Sequence, residues 1–209
     1  MMNVQRETKS EVMTTAVDLF FTKGFHGTSI RDISALAGVN VGTVSYYFSG
    51  KKGLLEECLI AFFEPYLNVL ERSLNEVKRQ NRSAVMSAAC EVIRFQQQHH
   101  RFARFAWREI TLDHQLIREM TACYLRKEQY LWKMLMAEDI EKGYSFKLSP
   151  SFFLIQLNSM ITTPFLQSQT VRELWHINTS DPYFTRQYIE AVEVWFNSVT
   201  SCYGLSAIS

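Results

Sequence analysis

The chain has 209 residues, of which 47% are hydrophobic and 21% charged, and its formal net charge is +1. Those proportions exclude a disordered chain, and a charge so close to zero excludes a globally basic nucleic-acid binder, so any basic footprint must be local. With only 8 Gly and 4 Pro, breakers are too scarce for a many-turned β fold, and long helices are expected. The length suits one domain, or a small head on a larger body.

The opening stretch MMNVQRETKSEV lacks the apolar core of a signal peptide. The uncharged run Leu148 to Val171 is interrupted by Pro150, Gln156, Asn158, Pro164 and Gln167 and does not read as a membrane span. Cys58, Cys90, Cys123 and Cys202 are spaced too widely for a metal pair, and no disulfide framework is expected. A reducing cytoplasm is the expected setting.

In chain order, periodicity gives helix after helix. Val12, Ala16, Leu19 and Phe20 share one helical face, and Gly24 stops that helix just past Lys23. Thr28 or Ser29 can cap a second helix, and Ser29 with Asp32 has the spacing of a capping box. This helix turns Ile30, Ile33 and Ala37 inward and halts at Gly38, a residue suited to the positive φ found just past a helix end. Asn40 caps a third, short helix from Val41 to about Tyr47, so Gly38-Val39-Asn40 reads as the turn of a helix-turn-helix.

Val44 and Phe48 are spaced to anchor this third helix. Asn40, Val41, Ser45 and Tyr46 then face away, flanked by the hydroxyls of Thr43 and Tyr47. Gly42 removes a side chain where a large flat partner can come close. The pattern suits a DNA major groove and its bordering phosphates, while a tight interhelical corner would share it. Lys51 and Lys52 open a fourth helix, where basic residues oppose the helix dipole and favour a nearby anion.

Residues 51–80 read as one amphipathic helix with a kink at Glu64-Pro65. Further helices are expected over about 83–98, 100–111, 113–141, 149–166 and 183–203, with 167–182 a loop holding one helical turn. Tyr66, Phe102, Phe105, Trp107, Tyr124, Trp132 and Met136 are either plain core or the lining of a ligand cavity. Adjacent His99 and His100 point apart on a helix, so neither a metal site nor a cofactor is expected. Arg101, Arg104 and Arg108 fall on one stripe, which is either a solvated face paired with Glu109 or Asp113 or a docking surface for an acidic protein. Without a Gly-rich phosphate loop, an activated-serine motif or a metal triad, no enzyme is expected.

The stretch GFHGTSIRDISALAGVNVGTVSYYFSGKKGLL resembles the DNA-binding head of the TetR family of bacterial regulators, and the likeness covers about residues 8–58. By position it implies phosphate contacts from Thr28, Thr43, Tyr47 and Lys51, and base-edge contacts from Val41, Gly42, Ser45 and Tyr46, with Ser29 and Asn40 in the same interface. Many members carry tyrosine where this chain has Ser45, which leaves base preference open. The head's six Lys/Arg against four acids leave it at +2, so binding should be strongly salt-sensitive.

The resemblance further implies an all-α fold, with a three-helix head over 1–52 and a helical regulatory and dimerisation body over 53–209. A two-fold homodimer would form through the last two long helices, with Phe153, Leu157, Ile161, Tyr188, Val192, Trp195 and Phe196 at the interface. Its two heads would read a two-fold-symmetric site on double-stranded DNA. The stretches SMITTPFLQ and TSDPYFTRQYIEAVEVWF are in turn similar to the RefZ subgroup of spore-forming bacteria. That likeness implies a nucleoid-associated regulator of cell division acting on the tubulin-like division GTPase, with the arginine stripe as the contact. The alternative is a small-molecule-responsive TetR-type transcriptional repressor. A cavity around Tyr66, Phe105 and Trp132 would favour the repressor; a filled core with an exposed arginine face would favour the adaptor.

Overall fold

The computed structural model describes residues 2–76, 82–112 and 114–202, with side chains from residue 6 onward. Asp113, the end of the helix expected to reach residue 80 and the last residue of the one expected to reach 203 lie outside the described residues. The elements are α1 (Met2–Lys23), α2 (Ile30–Leu36), α3 (Val41–Phe48), α4 (Lys51–Glu76), α5 (Ala84–Gln98), α6 (His100–Thr111), α7 (Gln115–Glu141), β1 (Tyr144–Phe146), α8 (Pro150–Leu166), α9 (Ser168–Trp175), α10 (Pro182–Val199) and β2 (Thr200–Cys202). The chain divides into two compact units, Met1–Phe63 with Arg101–Thr121, and Glu64–His100 with Ala122–Ser209.

The first unit forms around the apolar face of α1. Val12, Ala16 and Phe20 are fully buried there, and the helix ends at Gly24 with φ 76°. Phe20 stacks on Phe105 of α6 at 6.1 Å between ring centroids. Phe62 and Phe63 of α4 set their rings edge-on to Trp107 at 5.5 and 5.9 Å. Each buried aromatic contributes roughly 2–3 kcal/mol, so α6 is built into this unit by its apolar arc.

In the second unit, Asp139 of α7 holds the start of α5. Its carboxylate accepts from the Ser83 hydroxyl at 2.5 Å and from the backbone N–H groups of Ala84 and Val85. Gln96 of α5 donates to the Ile161 carbonyl of α8 at 2.8 Å. α8 and α10 run antiparallel. Phe153 stacks on Trp195 at one end, Phe165 meets Phe184 at the other, and the Tyr188 hydroxyl donates to the Met160 carbonyl between them.

Two features differ from expectation. β1 and β2 form a small antiparallel pair, with Tyr144 opposite Cys202 and Phe146 opposite Thr200. α10 therefore stops at Val199, where Thr200 turns extended at φ −125°. α4 is, as expected, one helix across Glu64-Pro65. Tyr66, Trp132 and Met136 are buried in the second unit, and Phe105 and Trp107 in the first; Phe102 and Tyr124 are half-buried.

Five of the seven residues expected at a dimer interface, Phe153, Leu157, Ile161, Val192 and Phe196, are instead buried within the protomer. α5 packs against both α8 and α10, and Tyr188 and Trp195 are half-buried. The apolar side chains these two helices turn outward are Phe152, Ile155, Tyr183 and Val194.

A buried acid sits in the core of the second unit. The Tyr66 hydroxyl donates to Glu128 at 2.5 Å, and both side chains are buried. Burial raises the Glu128 carboxyl to about 7, against a smaller lowering contribution from the Tyr66 hydrogen bond. The folded state therefore holds a proton that the unfolded chain has lost, and stability falls as pH rises from about 4.5 to about 7. The full shift corresponds to about 3 kcal/mol. Glu128→Gln keeps an acceptor for Tyr66 and removes the charge. We expect it to raise stability at pH 8 by about 1–3 kcal/mol and to change it little at pH 4.5, as read from urea midpoints at the two pH values.

Candidate nucleic-acid interface

The helix-turn-helix is assembled from local rules. Ser29 caps α2: its Oγ accepts the Asp32 N–H at 3.1 Å, and its own N–H donates to the Asp32 carboxylate at 2.9 Å. The Ser29 hydroxyl also donates to that carboxylate at 2.7 Å, and these bonds hold the Asp32 carboxyl below its usual range. Gly38 takes φ 66°, which lets Val39 N–H return to the Ser34 carbonyl at 2.9 Å. Asn40 Oδ1 then accepts the Gly42 N–H at 2.8 Å and starts α3.

Val44 and Phe48 are buried and fix α3 to the first unit. Asn40, Val41, Gly42, Ser45 and Tyr46 are exposed, Tyr46 most of all at 81%, while Thr43 and Tyr47 are half-buried on the flanks. The Tyr46 and Tyr47 rings meet edge-on at 5.3 Å. A Cβ added at Gly42 would touch only Asn40 Oδ1, at 3.5 Å, so nothing in the protomer requires glycine there. Ser49 at φ 53° and Gly50 at φ 103° form the left-handed turn into α4.

Two of the residues expected on phosphates have partners inside the protein. Thr28 is 1% exposed, and its hydroxyl is shared between the carbonyls of Gly24 at 2.8 Å and Leu19 at 3.2 Å. Its position reflects the folding of the α1–α2 loop. The Lys51 ammonium donates to the carbonyls of Phe25 and Thr28, both at 2.9 Å, and lies 4.4 Å from the centre of the Phe25 ring. Lys51 thus ties the same loop to the start of α4, and Lys52 is the exposed lysine of the pair.

Gly53, which the sequence reading passed over, faces the end of α3. A Cβ there would overlap the Phe48 carbonyl oxygen. The clue in the sequence is a second glycine three residues past Gly50.

The arginine stripe packs against α1. Arg101 reaches Asp18 at 3.4 Å, and the guanidiniums of Arg104 and Arg108 lie 3.7 and 4.9 Å from the centre of the Phe21 ring. Arg101 is exposed; Arg104 and Arg108 are half-buried. Glu109, expected as a partner for the stripe, is buried, and burial raises its carboxyl above the usual range against the lowering charges of Arg108 and His114. Among the described residues no cluster of three His, Cys, Asp or Glu could hold a metal ion, and no helix is long and apolar enough to cross a membrane.

Comparison with known proteins agrees with this geometry. Residues 12–58 match the family described as bacterial regulatory proteins, tetR family. The chain is 36% identical over 193 residues to a probable HTH-type transcriptional regulator, YttP, of Bacillus subtilis strain 168, spanning 92% of this chain and 93% of that one. Among solved structures it superposes on the TetR-family regulator PfmR of Thermus thermophilus with a TM-score of 0.69 at 15% identity, covering 87% of this chain and 96% of that one. It also superposes on the transcriptional regulator FadR of Bacillus subtilis, solved with stearoyl-CoA, with a TM-score of 0.64 at 16% identity, covering 88% and 96%. With an exposed α3, a capped helix-turn-helix and a full-length relative of this kind, the chain belongs to the TetR family of DNA-binding transcriptional regulators and is not an enzyme.

Proposed function

We propose that this chain is a homodimeric transcriptional repressor that holds double-stranded DNA through α3 and releases it when a small molecule occupies its body. The division of α3 carries the DNA part: Val44 and Phe48 are buried while Val41, Gly42, Ser45 and Tyr46 face solvent. Those four would meet base edges. Asn40, Ser29, Thr43, Tyr47 and the Lys51-Lys52 pair would border the phosphates. Residues 1–52 form the working DNA-binding head and 53–209 the regulatory and dimerising body, and the protein would act at the nucleoid.

The likeness to FadR, seen with stearoyl-CoA, supports a ligand-responsive body. So does a solvent-open groove of about 610 Å3 within the second unit, with Arg82, Ser83 and Arg94 on its walls beside Ile189 and Phe196. For the homodimer, the supporting feature is α8. Its sequence PSFFLIQLNSMITTPFL carries no charged residue, yet Phe152 and Ile155 are exposed. A face meant for water would carry charges. Two copies related by a two-fold axis would set two α3 helices on successive turns of the major groove.

The second reading is a DNA-tethered adaptor for the tubulin-like division GTPase. It would use the exposed Arg101, although Arg104 and Arg108 are already stacked on Phe21. Genome-wide mapping of bound DNA, paired with transcript levels in cells lacking the protein, tests both. Sites beside genes whose transcripts rise on deletion support the repressor. Strong two-fold-symmetric sites with unchanged transcripts overturn it in favour of the adaptor.

A further inference from the structure

In the first unit, α1 and α4 meet along faces that the sequence spaces alike. On α1, Arg6, Lys9 and Met13 recur at intervals of three and four; on α4, Glu57, Ile60 and Ala61 do the same. Lys9 pairs with Glu57 at 2.7 Å, and the Cys58 thiol donates to the Met13 carbonyl. The two faces line a groove of about 360 Å3 that is open to solvent and takes in Phe102 of α6. That volume falls in the range of small-molecule sites, about 300–1,000 Å3. Phe102, which the sequence leaves as either core or cavity lining, is half-buried there.

The lining is apolar at Met13, Ile60, Ala61 and Phe102 and charged at Arg6, Lys9 and Glu57. Lys9 and Glu57 neutralise each other. Arg6 is exposed and has no ion-pair partner among the described residues. The groove therefore carries one unmatched positive charge beside apolar surface. A cationic ligand would meet Arg6 with like charge, and a neutral hydrocarbon would leave it unused. A dianion would need to draw Lys9 away from Glu57. One carboxylate fits the planar fork of one guanidinium with two parallel hydrogen bonds.

We propose that this groove binds an apolar monocarboxylate, with its anionic end on Arg6 and its hydrocarbon part along Met13, Ile60, Ala61 and Phe102. The site lies wholly in the first unit and does not rest on the ligand reading given for the second. Lys9 places it beside the DNA-binding helix. Its ammonium, paired with Glu57, also lies 5.6 Å from the centre of the ring of Phe48, which anchors α3. Arg6 precedes Lys9 by about one helical turn, so the carboxylate end sits next to the cation that rests on that anchor.

The test uses the full chain and sodium decanoate, titrated by calorimetry below the concentration at which it forms micelles. Decyltrimethylammonium serves as the same chain with the opposite charge. Wild type should show a saturable decanoate site and bind decyltrimethylammonium at least about tenfold more weakly. Arg6→Met removes the charge and keeps an unbranched side chain, and Ala61→Trp fills the groove from an exposed position. Each should weaken decanoate binding by at least about tenfold, with circular dichroism showing unchanged helix content. Equal affinity for the two probes, or a decanoate titration in either variant that matches wild type, overturns the site. A wild type with no saturable decanoate binding overturns it as well.

Discussion

Gly42→Ala is expected to leave the protein as stable as before, or slightly more so, while weakening DNA binding by at least about tenfold, near 1.4 kcal/mol. The stability half follows from the surroundings of residue 42. It lies in the first turn of α3 with ordinary helical backbone, and an added Cβ would meet only Asn40 Oδ1 at the distance of normal contact. The Gly42 N–H bond to Asn40 would persist. Alanine is the better helix former by up to about 1 kcal/mol. Glycine at this place is thus a cost that the fold of one protomer does not explain.

The binding half follows from what the missing side chain permits. With Val41, Ser45 and Tyr46 around it on the exposed face, position 42 is where the α3 backbone can come nearest to a partner. A methyl group there holds the helix off, and every neighbouring polar contact lengthens together. The measurement takes DNA fragments selected by the wild type from a random pool and compares affinities at fixed salt, alongside thermal unfolding of each protein. Equal affinity for the two proteins would remove α3's glycine face from the DNA.

Much of the head is legible in the sequence because its determinants are local. The Ser29–Asp32 box, the Asn40 cap, the left-handed Gly38 and the Val44/Phe48 anchor each involve residues within four positions of one another, where spacing and stereochemistry decide. Legibility stops where a side chain's partner is distant in the chain. Thr28 reads as a surface hydroxyl until Leu19 and Gly24 are placed beside it, and Lys51 as a free cation until Phe25 and Thr28 present their carbonyls.

The body shows the same limit on a larger scale. An apolar stripe on α8 or α10 says that a face is buried, not whether the covering surface belongs to the same chain. Phe153, Leu157 and Ile161 are covered within the protomer. The arginine stripe on α6 was visible as a pattern, but only Asp18 and Phe21 reveal what it packs against. The β1–β2 pair escapes because three-residue strands carry almost no period, and each is stabilised by its partner and by rings such as Phe196 beneath Tyr144.

Gly53→Ala should behave in the opposite way to Gly42→Ala, losing stability and DNA binding together. Gly53 sits in the first turn of α4, where the chain has just reversed through Ser49 and Gly50 and brought the last carbonyl of α3 against it. A methyl at that position overlaps the Phe48 carbonyl oxygen, a backbone atom that no rotamer change can move aside. Relief requires α3 and α4 to separate, and Phe48, buried at 3% exposure, is the side chain that would be pulled from its site. Overpacking of this kind costs about 1–3 kcal/mol, which outweighs the alanine helix preference of about 1 kcal/mol or less. The Tm should fall by roughly 4–8 °C. Because Val44 and Phe48 are what aim α3, the same shift should abolish discrimination between selected and random DNA before it abolishes salt-dependent binding. A Gly53→Ala protein with unchanged Tm and unchanged discrimination would show that the α3–α4 junction gives way freely, and that α3 is aimed by something other than its seat on the first unit.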